Sequence, residues 1–252
     1  MKKWELESFL QKLLRFENPD ILKEQYSTPG NVLADFLWDY GHNFQGKNVL
    51  DLGCGTGILS LGALMCGAAN IVAIDIDPTA LELFRQNMND NGMGDAPITL
   101  VEANVLEHNF GDMIFDIVIL NPPFGTKHNA GIDSRFLEIA IAHSTGLVYS
   151  FHKSSTRSHF TNFGVRHGFS ADLVKQYSWV LENTYKFHKK RNMKIFVDLW
   201  EYTREASGTG IRKNFPVFQH PEEEPIRSGK PGHRRATRGG SERRKNDRRK
   251  RR

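Results

Sequence analysis

Short apolar runs alternate with amphipathic segments along the first 204 residues of the chain. Runs of five or six residues rich in Val, Ile and Leu are typical of buried parallel strands, and they lie at residues 48–52, 71–75, 98–102, 116–120 and 146–151. Helical periodicity lies between several of them and at the N-terminus, at residues 58–66, 78–91, 134–143 and 2–14. The alternation predicts an α/β fold with a parallel sheet covered by helices on both faces.

Two further apolar segments follow, at residues 174–181 and 193–202. The short connection between them leaves no room for the crossover helix that parallel neighbours need. We therefore expect an antiparallel hairpin that closes the sheet.

The charge of the chain is divided unevenly along its length. Residues 205–252 contain 15 Lys and Arg against 6 Asp and Glu, a net charge of +9, so the first 204 residues carry −4 because the whole chain carries +5. Its last part, residues 233–252, has almost no apolar residues and cannot bury enough surface to offset the entropy of ordering. We predict a folded domain over residues 1–204 and a disordered basic tail over residues 205–252.

Composition narrows the class of protein. Cys54 and Cys66 are the two cysteines, too few for a disulfide framework and without the spacing of zinc ligands. No stretch approaches the roughly 18 apolar residues of a membrane span, and the charged N-terminus does not resemble a secretory signal. The sequence favours a soluble intracellular protein without a metal site.

A glycine-rich loop follows the first predicted strand, in the sequence Asp51-Leu-Gly-Cys-Gly-Thr-Gly57. Glycines allow the backbone to turn sharply and to approach a ligand closely, and this spacing differs from the dinucleotide pattern G-x-G-x-x-G. Asp75 and Asp77 end the second strand, where a carboxylate can bind the ribose hydroxyls of an adenosyl group. A purely structural turn is the alternative, but together the two features favour a nucleoside cofactor.

The tetrapeptide Asn121-Pro122-Pro123-Phe124 follows the fourth predicted strand, at the edge where parallel sheets bind ligands. The Asn121 side-chain oxygen and the Pro122 carbonyl could accept both hydrogens of an amino group on a base, which would direct the nitrogen lone pair towards a methyl donor. Pro122 and Pro123 stiffen the wall, and Phe124 offers a face for a flipped base. The alternative is a Pro-Pro turn that ends a strand, with Phe124 in the core.

These motifs resemble the amino-methyltransferases with a Rossmann-like, seven-stranded fold that depend on S-adenosylmethionine (SAM). In that group the tetrapeptide occurs in adenine N6, guanine N2 and protein-glutamine methyltransferases, so it leaves the substrate open. Four segments in order resemble, more narrowly, the methyltransferase-like protein 5 family, which forms N6-methyladenosine in small-subunit (18S) ribosomal RNA. They are residues 24–28, 121–127, 152–157 and 185–190.

The resemblance implies which residues bind SAM and which perform the chemistry. The implied cofactor contacts are Gln25, Thr28, Gly53, Thr56, Ile58, Asp75 and Asn104. The family has Cys at the position of Thr56 and Asp at the position of Asn104, so the contact from Asn104 would lack the assistance of a charge. For RNA phosphates we predict contacts from Lys153, Lys186, Lys189 and Lys190, with Arg191 beside them, although each could be an ordinary solvated charge.

The resemblance also implies ribosomal RNA as substrate and a small zinc-binding activator subunit as partner in a heterodimer. In a doubly wound sheet of this kind, residues 98–102 form an edge strand that could pair with that subunit. The basic tail suits an RNA-gathering arm or nuclear targeting, and we expect the protein in the nucleus, including the nucleolus, and in the cytoplasm. A protein-glutamine methyltransferase and a non-catalytic RNA-binding scaffold are the competing hypotheses.

Overall fold

The computed structural model describes residues 2–17, 19–20, 23–125, 129–182 and 192–204. The helices are α1 (Lys3–Lys12), α2 (Gly30–Tyr40), α3 (Ile58–Met65), α4 (Pro78–Asp90), α5 (Ile132–Ala142) and α6 (Arg157–Arg166). The strands are β1 (Asn48–Leu52), β2 (Asn70–Asp75), β3 (Ile98–Glu102), β4 (Phe115–Leu120), β5 (Ser144–Lys153), β6 (Phe169–Glu182) and β7 (Asn192–Arg204). The predicted basic tail lies outside the described residues.

The seven strands form one sheet in the order β3-β2-β1-β4-β5-β7-β6. Strands β1 to β5 pair in parallel, whereas β7 pairs antiparallel with both β5 and β6. The predicted hairpin and the predicted edge position of β3 are therefore confirmed. Because the parallel strands all end at one edge, the loops that follow β1, β2 and β4 are brought together there.

Helices cover both faces of the sheet, as predicted from the alternation of strands and helices. Buried side chains of α1, α2, α3 and α4 share one apolar cluster with residues such as Val49, Ile71 and Leu199. The opposite face packs against α5 and α6 and includes Leu50, which follows Val49 in β1. Neighbouring residues of a strand point to opposite faces, so strands buried on both sides are apolar throughout.

Two helices were not predicted from the sequence. Helix α2 begins after Pro29 without a side-chain cap, and helix α6 contains Gly164 in its last turn. An added Cβ at Gly164 would lie 2.8 Å from the ring of Tyr202, so the glycine lets α6 lie close against β7. Both helices are stabilised by packing rather than by strong local propensity.

Candidate functional site: the glycine loop and the Asn121 tetrapeptide

The glycine loop between β1 and α3 is held against the end of β2. The amides of Gly53 and Cys54 both donate to the carbonyl of Ile74, at 2.9 and 3.0 Å. Gly53, Gly55 and Gly57 have φ values of 73°, 54° and 87°, in the left-handed region that favours glycine. The backbone needed to cradle a nucleoside is therefore formed by the protein alone.

Asp75 ends β2, and its carboxylate accepts hydrogen bonds from backbone amides of the loops beside it. One oxygen accepts from the Gly55 amide at 2.8 Å, and the other accepts from the Asp77 amide at 2.9 Å. Burial raises the pKa of Asp75, although the two amide hydrogen bonds oppose this rise. Asp75 thus fixes the shape of the cofactor loop, and contact with a ribose through its remaining acceptor capacity stays a prediction.

Asp51 is a fully buried carboxylate at the start of the loop. One oxygen accepts from the Ser60 hydroxyl at 2.6 Å, whereas the buried Oδ1 atom has no hydrogen-bond partner in the described structure. Burial raises the pKa of Asp51 to about 7, and the nearby Asp75 adds to the rise. An unpartnered acidic oxygen here fits a cationic ligand such as SAM, whose amino and sulfonium groups are positive.

We predict a measurable pH dependence from Asp51. Its carboxyl keeps a proton in the folded protein from about pH 4 to about pH 7, whereas the unfolded chain has already lost that proton. Stability should therefore fall as pH rises through this window, by up to about 1.4 kcal/mol per pH unit, and level off above it. Thermal unfolding of Asp51→Asn should lack this slope, while the same change at exposed Asp112 should preserve it. Identical pH profiles for Asp51→Asn and wild type would contradict the assignment.

Between α1 and α2, the structure describes residues 13–17, 19–20 and 23–29, which we call the crossing segment and which contact the loops of the site. Near its start, the buried side chain of Asn87 on α4 accepts from the Leu14 amide and donates to the carbonyls of Leu14 and Thr56. Near its other end, the Gln25 amide donates to Asp77. The crossing segment is thereby anchored to the loops after both β1 and β2.

The sequence analysis did not predict Asn87 as part of the site. It occupies a core-facing position of α4, in the helical spacing that continues from Leu81 and Phe84. A polar residue at such a position signals a buried hydrogen-bonding role, because an unpaired buried amide costs free energy.

Asn121 is oriented by the same crossing segment. Its side-chain nitrogen donates to the Tyr26 carbonyl at 3.4 Å and to the Thr28 hydroxyl at 3.1 Å. The Tyr26 carbonyl can only accept, so the amide nitrogen faces it and the oxygen faces the other way. That oxygen is buried and has no partner in the described structure. Asn121 therefore presents an unused acceptor, as amine recognition requires.

Phe124 is almost completely buried, with 6% of its surface exposed. Its ring lies nearly parallel to that of Tyr26, at 6.5 Å between centroids, and edge-on to Trp179 at 6.2 Å. The Lys153 ammonium lies 5.6 Å from the centre of the same ring. These neighbours cover Phe124, so stacking on a flipped base requires one of them to move, and this role stays a prediction.

The remaining predicted cofactor residues lie around the loop ends. Thr56 and Ile58 are buried on either side of Gly57. Asn104 follows β3, where its side-chain oxygen accepts from the Leu106 amide at 3.0 Å and so stabilises a turn. The second lone pair of that oxygen remains for an adenine amino group, so Asn104 can stabilise the turn and contact the cofactor at the same time.

Of the predicted RNA contacts, Lys153 lies in the described part of the chain. Residues 186, 189, 190 and 191 lie outside it. Lys153 ends β5, and an ion pair between half-exposed Arg157 and Asp198 of β7 fixes the turn after it. Arg157 donates to both oxygens of the fully buried Asp198, at 2.7 and 2.8 Å, and Ser154 donates to the same carboxylate. A carboxylate inside the apolar run of β7 was the overlooked sequence signal for this pair.

His152 points into the protein, opposite to Lys153. It is fully buried, contacts the Ser150 hydroxyl at 2.7 Å and stacks on Phe160. Burial holds its pKa well below the usual range, so the ring is neutral and structural. Across the described part of the chain, no group of three or more His, Cys, Asp or Glu could hold a metal ion. None of the described helices has the length and apolar character to cross a membrane.

Comparisons with known proteins place this site in a family. Residues 31–146 match the methyltransferase small domain. The rRNA N(6)-adenosine-methyltransferase METTL5 of Danio rerio is 40% identical over 206 residues, which make up 81% of this chain and 99% of that protein. The chain belongs to the METTL5 family of rRNA N(6)-adenosine-methyltransferases. The Drosophila melanogaster member is 38% identical over 80% of this chain and 96% of its own length.

A solved structure supports the fold independently. A crystal structure from Pyrococcus horikoshii superposes with a TM-score of 0.71 at 34% identity, covering 81% of this chain and 98% of that one. The predicted fold, family and enzyme class are thus confirmed, and the cofactor of this methyltransferase is SAM. The individual site residues remain predictions supported by the geometry described above.

Proposed function

We propose that this chain methylates N6 of an adenosine in ribosomal RNA, in the small subunit. The observation that carries the proposal is the buried, unpartnered side-chain oxygen of Asn121, oriented by Tyr26 and Thr28 beside the glycine loop. Relatives support the proposal, because the METTL5 proteins to which the chain is similar are named rRNA N(6)-adenosine-methyltransferases.

The chain's residues fit SAM in three respects. The glycine loop provides close backbone approach, Asp75 at the end of β2 is proposed to accept from the ribose hydroxyls, and Asp51 has an unpaired acidic oxygen for a cation. When bound, SAM supplies an electrophilic methyl group on a sulfonium. Gln25 and Thr28 belong to the crossing segment, which we propose covers the cofactor and excludes water from it.

We propose that the tetrapeptide activates the amino group that is methylated. The lone pair of an adenine amino group is delocalised into the ring, so the nitrogen is a weak nucleophile. Acceptance of its two hydrogens by Asn121 Oδ1 and the Pro122 carbonyl favours a more tetrahedral nitrogen whose lone pair points at the methyl carbon. Bound SAM would supply the methyl group and its sulfur would keep the electrons of the broken bond, while Asn121 and Pro122 would hold the nitrogen until the amine releases a proton to solvent.

Cations lie beside aromatic rings on β5 and β7, an arrangement that suits RNA. Lys153, at the end of β5, lies against Phe124. Lys194 lies 5.6 Å from the ring of Phe196, whose side chain is 51% exposed on the opposite face of β7 from Val197. Exposed aromatic rings stack on unpaired bases, and lysines neutralise phosphates. We propose that Lys153 contacts the RNA strand at the target adenosine and that Lys194 and Phe196 contact it farther away.

The function is tested by incubating the protein with tritiated SAM and total ribosomal RNA or ribosomal protein. We expect label in N6-methyladenosine after digestion of the RNA to nucleosides, and label in small-subunit RNA after separation by size. Label in glutamine or in N2-methylguanosine would replace the proposed substrate, and cofactor binding without transfer to either fraction would favour a scaffold.

We also propose that the β3 edge binds a small zinc-binding activator subunit. Within the described residues β3 pairs only with β2, and Ile76 nearby is 53% exposed. The Ala103 amide donates to Asp75 in β2, so the amide of the preceding Glu102 faces away from the sheet. An incoming strand could use such outward groups.

We predict that the chain is poorly soluble alone and becomes soluble when co-expressed with the activator. Glu102→Pro removes an outward amide and should lower the yield of complex in co-purification. Glu102→Ala keeps that amide and is the matched control. A monodisperse, fully active monomer expressed by itself would exclude the proposal.

The end of the basic tail, residues 233–252, is proposed as an RNA-gathering arm, with nuclear or nucleolar targeting as a compatible role beside a cytoplasmic pool. Deleting it should weaken RNA binding at low salt and flatten the salt dependence by about 0.7 log units per lost phosphate contact. Turnover at saturating RNA should stay near normal, because the proposed chemical residues precede residue 205. Binding assays across a salt series measure the slope, and an unchanged slope would rule out the arm.

A further inference from the structure

A cavity of about 460 Å³ lies between the crossing segment, the start of α2 and the outer strand β6. Its lining combines aromatic rings, a cation and side-chain amides, including Phe16, Tyr26, Trp179, Arg15, Gln11 and Asn31. This volume lies within the usual range of roughly 300–1,000 Å³ for small-molecule sites.

The cavity adjoins both the tetrapeptide and the cofactor side of the site. Tyr26 lines it, and the same residue accepts from the Asn121 amide through its carbonyl and packs parallel to Phe124. Gln25, a predicted cofactor contact, lines it as well. Its described lining includes neither Asn121 nor any glycine of the cofactor loop. A group bound there would therefore lie next to the reacting base and the cofactor.

The lining chemistry matches a nucleotide. The half-buried rings of Phe16 and Tyr26 can accept the flat face of a base, and the exposed Arg15 at the rim can pair with a phosphate. Side-chain amides of Gln11 and Asn31 can both donate to and accept from a base edge, so they can discriminate between bases. Proteins read single-stranded RNA in this way, by stacking splayed bases and bonding their edges.

We propose that this cavity binds the base of a nucleotide adjacent to the target adenosine and thereby selects the sequence around it. This inference rests on the proposed RNA methylation. Tyr26 connects the two places, because it lines the cavity and its carbonyl accepts from the Asn121 amide.

The experiment uses the full chain and a set of short RNAs that differ by one abasic position around the target adenosine. For wild type, loss of the base at one adjacent position should lower kcat/KM by roughly tenfold, the order seen when a stacked base is lost. Arg15→Ala and Asn31→Ala should be slower on intact RNA, and the abasic penalty at that position should shrink in both. Their thermal unfolding and cofactor affinity should match wild type, because both side chains are exposed.

Lys47→Ala is the matched control, since this exposed cation precedes β1 at the opposite edge of the sheet. It should keep the full abasic penalty. Equal penalties in wild type, Arg15→Ala and Asn31→Ala, or no position-specific penalty in wild type, would overturn the cavity assignment while RNA methylation stands. If wild type labels no RNA, the proposed function and this inference both fall.

Discussion

Asn121→Ala should lower kcat by about 10²-fold or more while cofactor affinity stays nearly unchanged. The side-chain oxygen lies unpartnered in the structure, and its hydrogen bond to the amine strengthens only as the nitrogen attacks. Loss of a group used mainly in the transition state lowers turnover and not ground-state binding. Single-turnover methylation together with calorimetric titration of SAM measures both quantities.

Two further variants separate chemistry from positioning. Thr28→Val removes one acceptor from the Asn121 amide nitrogen but keeps the shape of the side chain, so we expect a smaller fall in kcat. Asp75→Ala should instead weaken SAM binding first, because its carboxylate holds the Gly55 amide of the cofactor loop. Full activity of Asn121→Ala would contradict the proposed mechanism.

The sequence predicted the parallel half of the fold because its signals are local. Strands such as β1 and β4 are buried on both faces, and continuous apolar runs identify them directly. The loops after these strands carry the site motifs, and parallel pairing is sufficient to bring their ends to one edge. The convergence of Asp75, the glycine loop and Asn121 could therefore be predicted without coordinates.

Helices α2 and α6 were missed for different reasons. Helix α6 contains Thr161, Asn162 and Gly164, which have modest or low helix propensity, and it depends on contacts with β7, which is distant in sequence. Helix α2 begins with Gly30 and lacks a side-chain cap, but its buried apolar residues follow helical spacing, a local signal that the sequence analysis overlooked.

The role of the crossing segment was also beyond sequence reasoning. Thr28 was predicted as a cofactor contact, whereas the structure shows its hydroxyl accepting from Asn121, 93 residues away. Asn87 joins Leu14 to the glycine loop across 73 and 31 residues. Such hydrogen bonds depend on the packed positions of three separate elements, and side-chain type alone does not indicate the partner.

Gly57→Ala should lower the free energy of unfolding by about 2–4 kcal/mol, the second large effect that the structure predicts. Gly57 has φ 87° at the start of α3, a conformation that costs free energy for any residue with a side chain. An added Cβ would also lie 2.3 Å from the ring of Phe84, which is fully buried. Either the ring or the cofactor loop must shift, so SAM affinity should fall as well.

Gly46→Ala isolates the backbone contribution, because Gly46 has φ 70° and no atom within 4 Å of an added Cβ. It should lower stability by only about 1 kcal/mol and leave SAM binding unchanged. Chemical denaturation of both variants, with and without SAM, measures the difference between them. Combining Gly57→Ala with Phe84→Leu should give a smaller total loss than the two single changes added together, because the shorter side chain relieves the overlap. Strict additivity would show that the loop, and not the Phe84 ring, absorbs the added methyl group.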